Sequence, residues 1–171
     1  MSLHGDLLEQ AKHLAKKETK RPRQASLRRA VSAAYYALFH RLIDASSRFA
    51  VRGGNREALR FAVTRAFDHG EMKKAASSFT GGGLPALLQP TVATPPGIPA
   101  ELKRLAQAFV DLQQARHEAD YDLTRAFTRR DALDFIDRAE QAFKDWRTVD
   151  GTPAGDAFLI ALLLRNKLDR R

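Results

Sequence analysis

Leu27-Arg28-Arg29-Ala30-Val31-Ser32-Ala33-Ala34-Tyr35-Tyr36-Ala37-Leu38-Phe39-His40 is the stretch that decides the fold. Leu27, Val31, Ala34, Leu38 and Leu42 recur at the spacing of one helical face. From Ala30 to Phe39, apolar, aromatic or small residues lie on every side, which suits a central helix covered by several neighbours. Ala30, Ala33, Ala34 and Ala37 permit close backbone approach. The pattern predicts a helix from about Gln24 to Phe49, closed by the break at Gly53-Gly54-Asn55.

Helical signals continue on both sides. Leu7, Leu8, Ala11, Leu14 and Ala15 predict a first helix over about Leu3 to Lys17, ended by Pro22 and a basic connector. A third helix is expected from about Arg56 to Asp68, with Leu59, Ala62, Val63, Ala66 and Phe67 inward and Gly70 as its C-cap. A short helical piece is expected around Glu71 to Ser77. Residues 81–99 read as a loop, punctuated by Gly81-Gly82-Gly83, Pro85, Pro90, Pro95-Pro96-Gly97 and Pro99, with Leu84, Leu87, Leu88 and Val92 as its contacts to the core. Leu102, Leu105, Phe109 and Leu112 mark a helix from about Ala100 to Ala119, and Leu133, Ile136, Ala139, Phe143 and Trp146 mark another from about Arg129 to Arg147. Thr128 and Asp131 resemble a capping box, and Thr152-Pro153 opens a last helix, apolar almost all round, over about residues 153–168. Such a surface needs cover from the bundle or from a second copy. Alternating β-branched runs are missing. The expectation is therefore one all-α domain over residues 1–171, an up-and-down bundle of five to six helices with a Gly/Pro-rich loop at 81–99 and an extra C-terminal helix.

Composition narrows the function. The 171 residues contain no cysteine, which removes disulfides, thiolate metal ligands and a cysteine nucleophile. Ala157 to Leu164 is the longest strongly apolar stretch, far short of the roughly 20 residues of a membrane span. The start Met1-Ser2-Leu3-His4-Gly5-Asp6 lacks a signal-peptide pattern. A cytoplasmic protein with no membrane partner is expected. Residues 1–74 hold 16 Lys/Arg against 7 Asp/Glu, whereas residues 101–171 hold 13 of each, so the net charge of +9 arises in the first part. Lys16, Lys17, Lys20, Arg21, Arg23, Arg28 and Arg29 form the densest block, opposed only by Glu18. A block of this kind steers polyanions and releases counterions from phosphates, or it serves as a solvated helix end.

Two segments hold the residue types of a site. Arg29, Ala33, Tyr36 and His40 share one helical face, where an Arg, a phenol and an imidazole can meet a phosphate and a ribose or move a proton. The plainer reading is a packed central helix with satisfied hydroxyls and a hydrogen-bonded histidine. In Ala115-Arg116-His117-Glu118-Ala119-Asp120-Tyr121-Asp122-Leu123, Arg116 falls in register with a hydrophobic stripe and Asp120 follows one turn later. Each lessens the other's desolvation cost. The plainer reading is an intrahelical pair near the helix end, with Tyr121 in the corner and Asp122 as a cap. His4, His13, His40, His69 and His117 show no metal-ligand spacing, so neither a metal nor a cofactor is expected.

Together the two segments resemble the HEPN family of helical nucleotide-binding domains. Arg28 to His40 is similar to the family's second helix, and Arg116-His117-Glu118-Ala119-Asp120-Tyr121 is similar to the Arg-x-x-Ala-Asp-Tyr signature of one branch. The resemblance covers about residues 3–147. It implies a helical bundle that forms homodimers, with many relatives acting as metal-independent ribonucleases, often toxins or defence components paired with a small nucleotidyltransferase. Their site is an Arg with a His a few residues downstream, contributed by both chains. Arg116 matches that Arg, but Asp120-Tyr121 stands where the His is expected, and His117 adjoins Arg116. Three functions follow. One is a non-catalytic or weakly catalytic module binding RNA or a nucleotide, with Arg28, Arg29, Tyr36, Lys16, Lys17, Lys20, Arg21 and Arg23 as contacts, in a toxin–antitoxin or defence system. The second is a metal-independent endoribonuclease using Arg116, Asp120, Tyr121 and His40. The third is a scaffold acting through a homodimer.

Overall fold

The computed structural model describes residues 2–81, 83–93 and 97–168. The chain is all-α, with α1 (Leu3–Lys16), α2 (Gln24–Ala50), α3 (Glu57–Thr64), α4 (His69–Phe79), α5 (Gln89–Ala93), α6 (Ala100–Tyr121), α7 (Arg129–Val149) and α8 (Pro153–Leu168). Eight helices stand among the described residues instead of five to six. The short piece near Glu71 is a full helix, and the Gly/Pro-rich loop contains one of its own. Gly82 and Pro95-Pro96 of that loop lie outside the described residues. The chain forms two compact units, the first made of the chain up to His40 with Ala108–Lys144, the second of Arg41–Gln107 with the chain from Asp145 on.

In the first unit, α2 buries Leu27, Ala30, Val31, Ala34, Tyr35, Ala37 and Leu38 completely. Its small residues leave room for aromatic rings: Tyr35 lies 5.7 Å from Phe109 of α6 between ring centroids. Leu8, Ala11 and Ala15 of α1, Leu112 and Ala115 of α6, and Ala132, Ile136 and Ala139 of α7 complete the core. Burial of these side chains is the main stabilising term. The α7 start is the expected capping box with Asp in place of Glu: the Thr128 N–H donates to Asp131 Oδ2 at 2.8 Å, and the Asp131 N–H donates to Thr128 Oγ1 at 3.1 Å.

In the second unit, α8 packs against α4 and α5. Phe79 meets Phe158 edge-on at 5.1 Å, and Met72, Ala75 and Ala76 lie buried with Ala157, Leu159, Ala161 and Leu162. Leu88 and Pro85 anchor the loop, whereas Leu87 is 73% exposed. Asp68, not Gly70, marks the α3–α4 junction. Its carboxylate accepts the N–H groups of Gly70 and Glu71 at 2.8 and 3.0 Å as the N-cap of α4, so Gly70 starts a helix instead of ending one. The inward face expected of the third helix is a second correction. α3 has no buried residue, Leu59 is 56% exposed, and the helix stops at Thr64. It is tethered through Arg60, which donates to the carbonyls of Val51 and Gly53.

The α7–α8 turn is set by one close approach. Thr152 Oγ1 donates to the Val149 carbonyl at 2.7 Å and accepts the Gly155 N–H at 3.1 Å. A Cβ on Gly155 would stand 2.1 Å from that carbonyl oxygen. Gly155→Ala is expected to lower the unfolding free energy by about 1–3 kcal/mol or more, because backbone has to move. Urea denaturation measures this, and an unchanged midpoint would show that the turn tolerates a side chain.

Candidate functional site

The site is built in the first unit from two pairs of residues one helical turn apart, Ser32 and Tyr36 on α2 and Arg116 and Asp120 on α6. Ser32 Oγ donates to Asp120 Oδ1 at 2.6 Å, and Arg116 Nη2 donates to the Tyr36 hydroxyl at 2.9 Å. Arg116 Nε lies 2.8 Å from Asp120 Oδ2, which links the four residues into one chain of contacts. The two charged side chains are only 18% and 22% exposed, so their mutual attraction is weakly screened. The guanidinium also lies 5.5 Å from the Tyr36 ring centroid and 5.6 Å from that of Tyr121. Burial opposes its charge, but the Tyr36 hydroxyl, Asp120 and Tyr121 outweigh burial and raise its pKa. Arg116 is thus a fixed cation stacked against two rings.

His40 stands next to this group, with its ring 6.3 Å from Tyr36 and 5.4 Å from Phe39 between centroids. Burial lowers its pKa below the ordinary 6.5, which favours the neutral imidazole near pH 7. Tyr121, 64% exposed, carries His117 5.1 Å from its ring.

Alongside Ser32 and Tyr36 opens a pocket of about 390 Å³, lined by Gln10 and Leu14 of α1 and by Arg29, Ser32, Ala33 and Tyr36 of α2. Arg29 is exposed, and so are Lys16 at the end of α1 and Lys17, Lys20, Arg21 and Arg23 of the connector. The connector has internal fastenings. Glu18 accepts from Ser26 Oγ at 2.8 Å and from the Arg23 N–H at 3.4 Å, and its pKa is lowered, chiefly by the Ser26 hydrogen bond. Arg129 donates to the carbonyls of Glu18 and Thr19. A shallower cleft of about 450 Å³, lined by Glu9, Lys12, His13, Lys16 and Lys17, opens on α1.

Arg28 does something other than the expected phosphate contact. Its guanidinium donates to the carbonyls of Glu118, Ala119, Asp122 and Arg125, at 2.9 Å for Ala119 and Asp122. These carbonyls close the C-terminus of α6, where a cation is favoured. Asp122 fastens the same turn, accepting from the Thr124 N–H at 2.9 Å and from its hydroxyl at 2.6 Å. Gln24 is bonded both ways to the Phe127 backbone, at 2.7 and 2.9 Å. Sequence reading passed over Ser32, Gln10 and Gln24. A hydroxyl amid alanines and tyrosines was the signal for Ser32, since a buried polar group needs a partner. Among the described residues no cluster of three or more His, Asp or Glu side chains is placed to hold a metal ion. No helix among them is long and apolar enough to cross a membrane.

No protein-family model, curated protein or solved structure matches the chain.

Arg28 separates architecture from binding. Arg28→Ala leaves part-buried carbonyls without a donor and is expected to cost about 1–3 kcal/mol of stability. Arg28→Lys is expected to recover only part, because an ammonium lacks the span of the guanidinium fork. Thermal unfolding of both variants measures this, and a wild-type midpoint for Arg28→Ala would remove Arg28 from the helix end.

Proposed function

We propose that this chain is an HEPN-like protein that binds RNA or a nucleotide, in a toxin–antitoxin or defence setting, with little or no catalysis. The observation that carries the reading is the convergence of Arg116 and Asp120 of α6 on Ser32 and Tyr36 of α2, two residues that also line a pocket with exposed Arg29. Such a pocket offers a phosphate one unpaired guanidinium and offers a ribose or base the Tyr36 ring, Ser32 and Gln10. The exposed cations Lys16, Lys17, Lys20, Arg21 and Arg23 extend the attraction along the connector. Arg116 serves here as a positioning residue, because its Nη2 donates to Tyr36 and its charge pairs with Asp120.

A second reading, metal-independent RNA cleavage, draws on His40. A neutral imidazole near the Tyr36–Arg116 pair is in the protonation state of a general base. It lacks the downstream imidazole that the family resemblance leads one to expect after Arg116.

Fluorescence anisotropy with a labelled oligoribonucleotide tests both. Binding is expected at low salt, with affinity falling as salt rises, and Arg29→Ala is expected to reduce the salt slope by about one. Absence of binding at low salt, or binding indifferent to ionic strength, overturns the reading. The same RNA, incubated in EDTA and run on a gel, is expected to stay intact. Cleavage that vanishes in Arg116→Ala and His40→Ala would establish the enzyme instead.

A further inference from the structure

We infer that α3 and the turn before it form a second RNA contact, one that selects single strands by stacking on Phe61. The inference rests on the reading that the chain binds RNA, but it concerns a different surface, within the second unit. Between Arg48 and Phe67 the sequence carries Arg48, Arg52, Arg56, Arg60 and Arg65 against one acidic residue, Glu57. Two of these arginines are engaged. Arg48 pairs with Asp44 at 3.0 Å, and Arg60 holds the carbonyls of Val51 and Gly53. Arg52, Arg56 and Arg65 are exposed.

Aromatic rings are interspersed among these cations. Arg52 lies 5.7 Å from the Phe49 ring centroid. Phe61 is 64% exposed and stands one helical turn from Arg65. A phenylalanine left in water on a helix without any buried residue is unfavourable in the isolated unit. The surrounding charge identifies what covers it. A second copy would bring the same arginines against these, so self-association is opposed. An ordinary protein interface needs on the order of 1,000 Å², more than eight residues with two large apolar side chains supply. A polyanion whose bases are free to stack satisfies both features at once. Its phosphates neutralise Arg52, Arg56 and Arg65, and one base covers the Phe61 ring. A duplex keeps its bases stacked on one another and gains nothing from that ring.

The anchor at Arg60 also fixes the presentation. It ties α3 to the turn that contains Gly53, with φ +91°, and Asn55, with φ +51°, so the backbone segments that carry the ring and the cations are joined.

The test uses the full chain with a labelled single-stranded oligoribonucleotide and with a duplex containing the same strand. Phe61→Ala is expected to weaken single-strand binding about tenfold, with the salt slope and duplex binding unchanged. Phe61→Trp is expected to restore it and Phe61→Leu to fail, since stacking needs a ring. Arg65→Ala is expected to lower the salt slope by about one. Phe61 is exposed, so these variants keep the fold, which circular dichroism checks. Unchanged affinity in Phe61→Ala overturns the inference, and rescue by Phe61→Leu overturns it in favour of an apolar protein or lipid surface. If Arg29→Ala weakens binding and Phe61→Ala does not, the pocket stands and α3 falls. The opposite pattern leaves α3 standing and the pocket refuted, and no RNA binding at low salt overturns both.

Discussion

Two polar clamps join α2 to α6 in the first unit, and the candidate site exists because of them. Arg28 reaches into the end of α6 and gathers four carbonyls, while the Ser32 hydroxyl holds Asp120 one turn along. Apolar packing brings these helices together without specifying their axial register. A hydroxyl meeting a carboxylate at 2.6 Å does specify it, because a shifted register would leave part-buried polar groups without partners. Arg116 and Tyr36 then face each other as a consequence of that alignment.

The resulting site is rigid on one side and open on the other. Arg116 is held by an ion pair, a hydroxyl and two rings, so its charge is fixed in place. Arg29, also on the pocket lining, stands exposed. A fixed cation orients and an open one captures, and binding sites use both. The rigid half accounts for the plainer sequence reading as well. The intrahelical Arg116–Asp120 pair and the Asp122 cap are both present, and the pair also engages α2.

Periodicity made most of the helices legible, because long amphipathic or all-apolar stripes of the α2, α6 and α8 kind leave little ambiguity. It misjudged α3, whose Leu59, Ala62 and Val63 repeat like a buried face yet are not buried. Spacing reports amphipathicity, and only tertiary structure says whether the apolar side is covered. Asp68 and Gly70 show a related limit. An Asp followed by Gly fits a helix start and a helix end alike, and the side chain's hydrogen bonds decide between them. At the site, the types Arg116, Asp120, Tyr36 and His40 were readable, whereas the fate of Arg28 was not. Adjacent arginines look equivalent in sequence, but a rotation of about 100° along the helix turns Arg28 toward α6 and Arg29 toward the pocket.

The fastening of the basic connector bears on how it would meet a ligand. Glu18 spends its carboxylate on Ser26 and the Arg23 backbone, and Arg129 grips the carbonyls on either side of the Glu18–Thr19 peptide. The loop that displays Lys17, Lys20, Arg21 and Arg23 is therefore ordered before anything arrives. Disordered basic tails surrender conformational freedom when they close on a polyanion, and that loss subtracts from affinity. This connector has settled that entropy during folding.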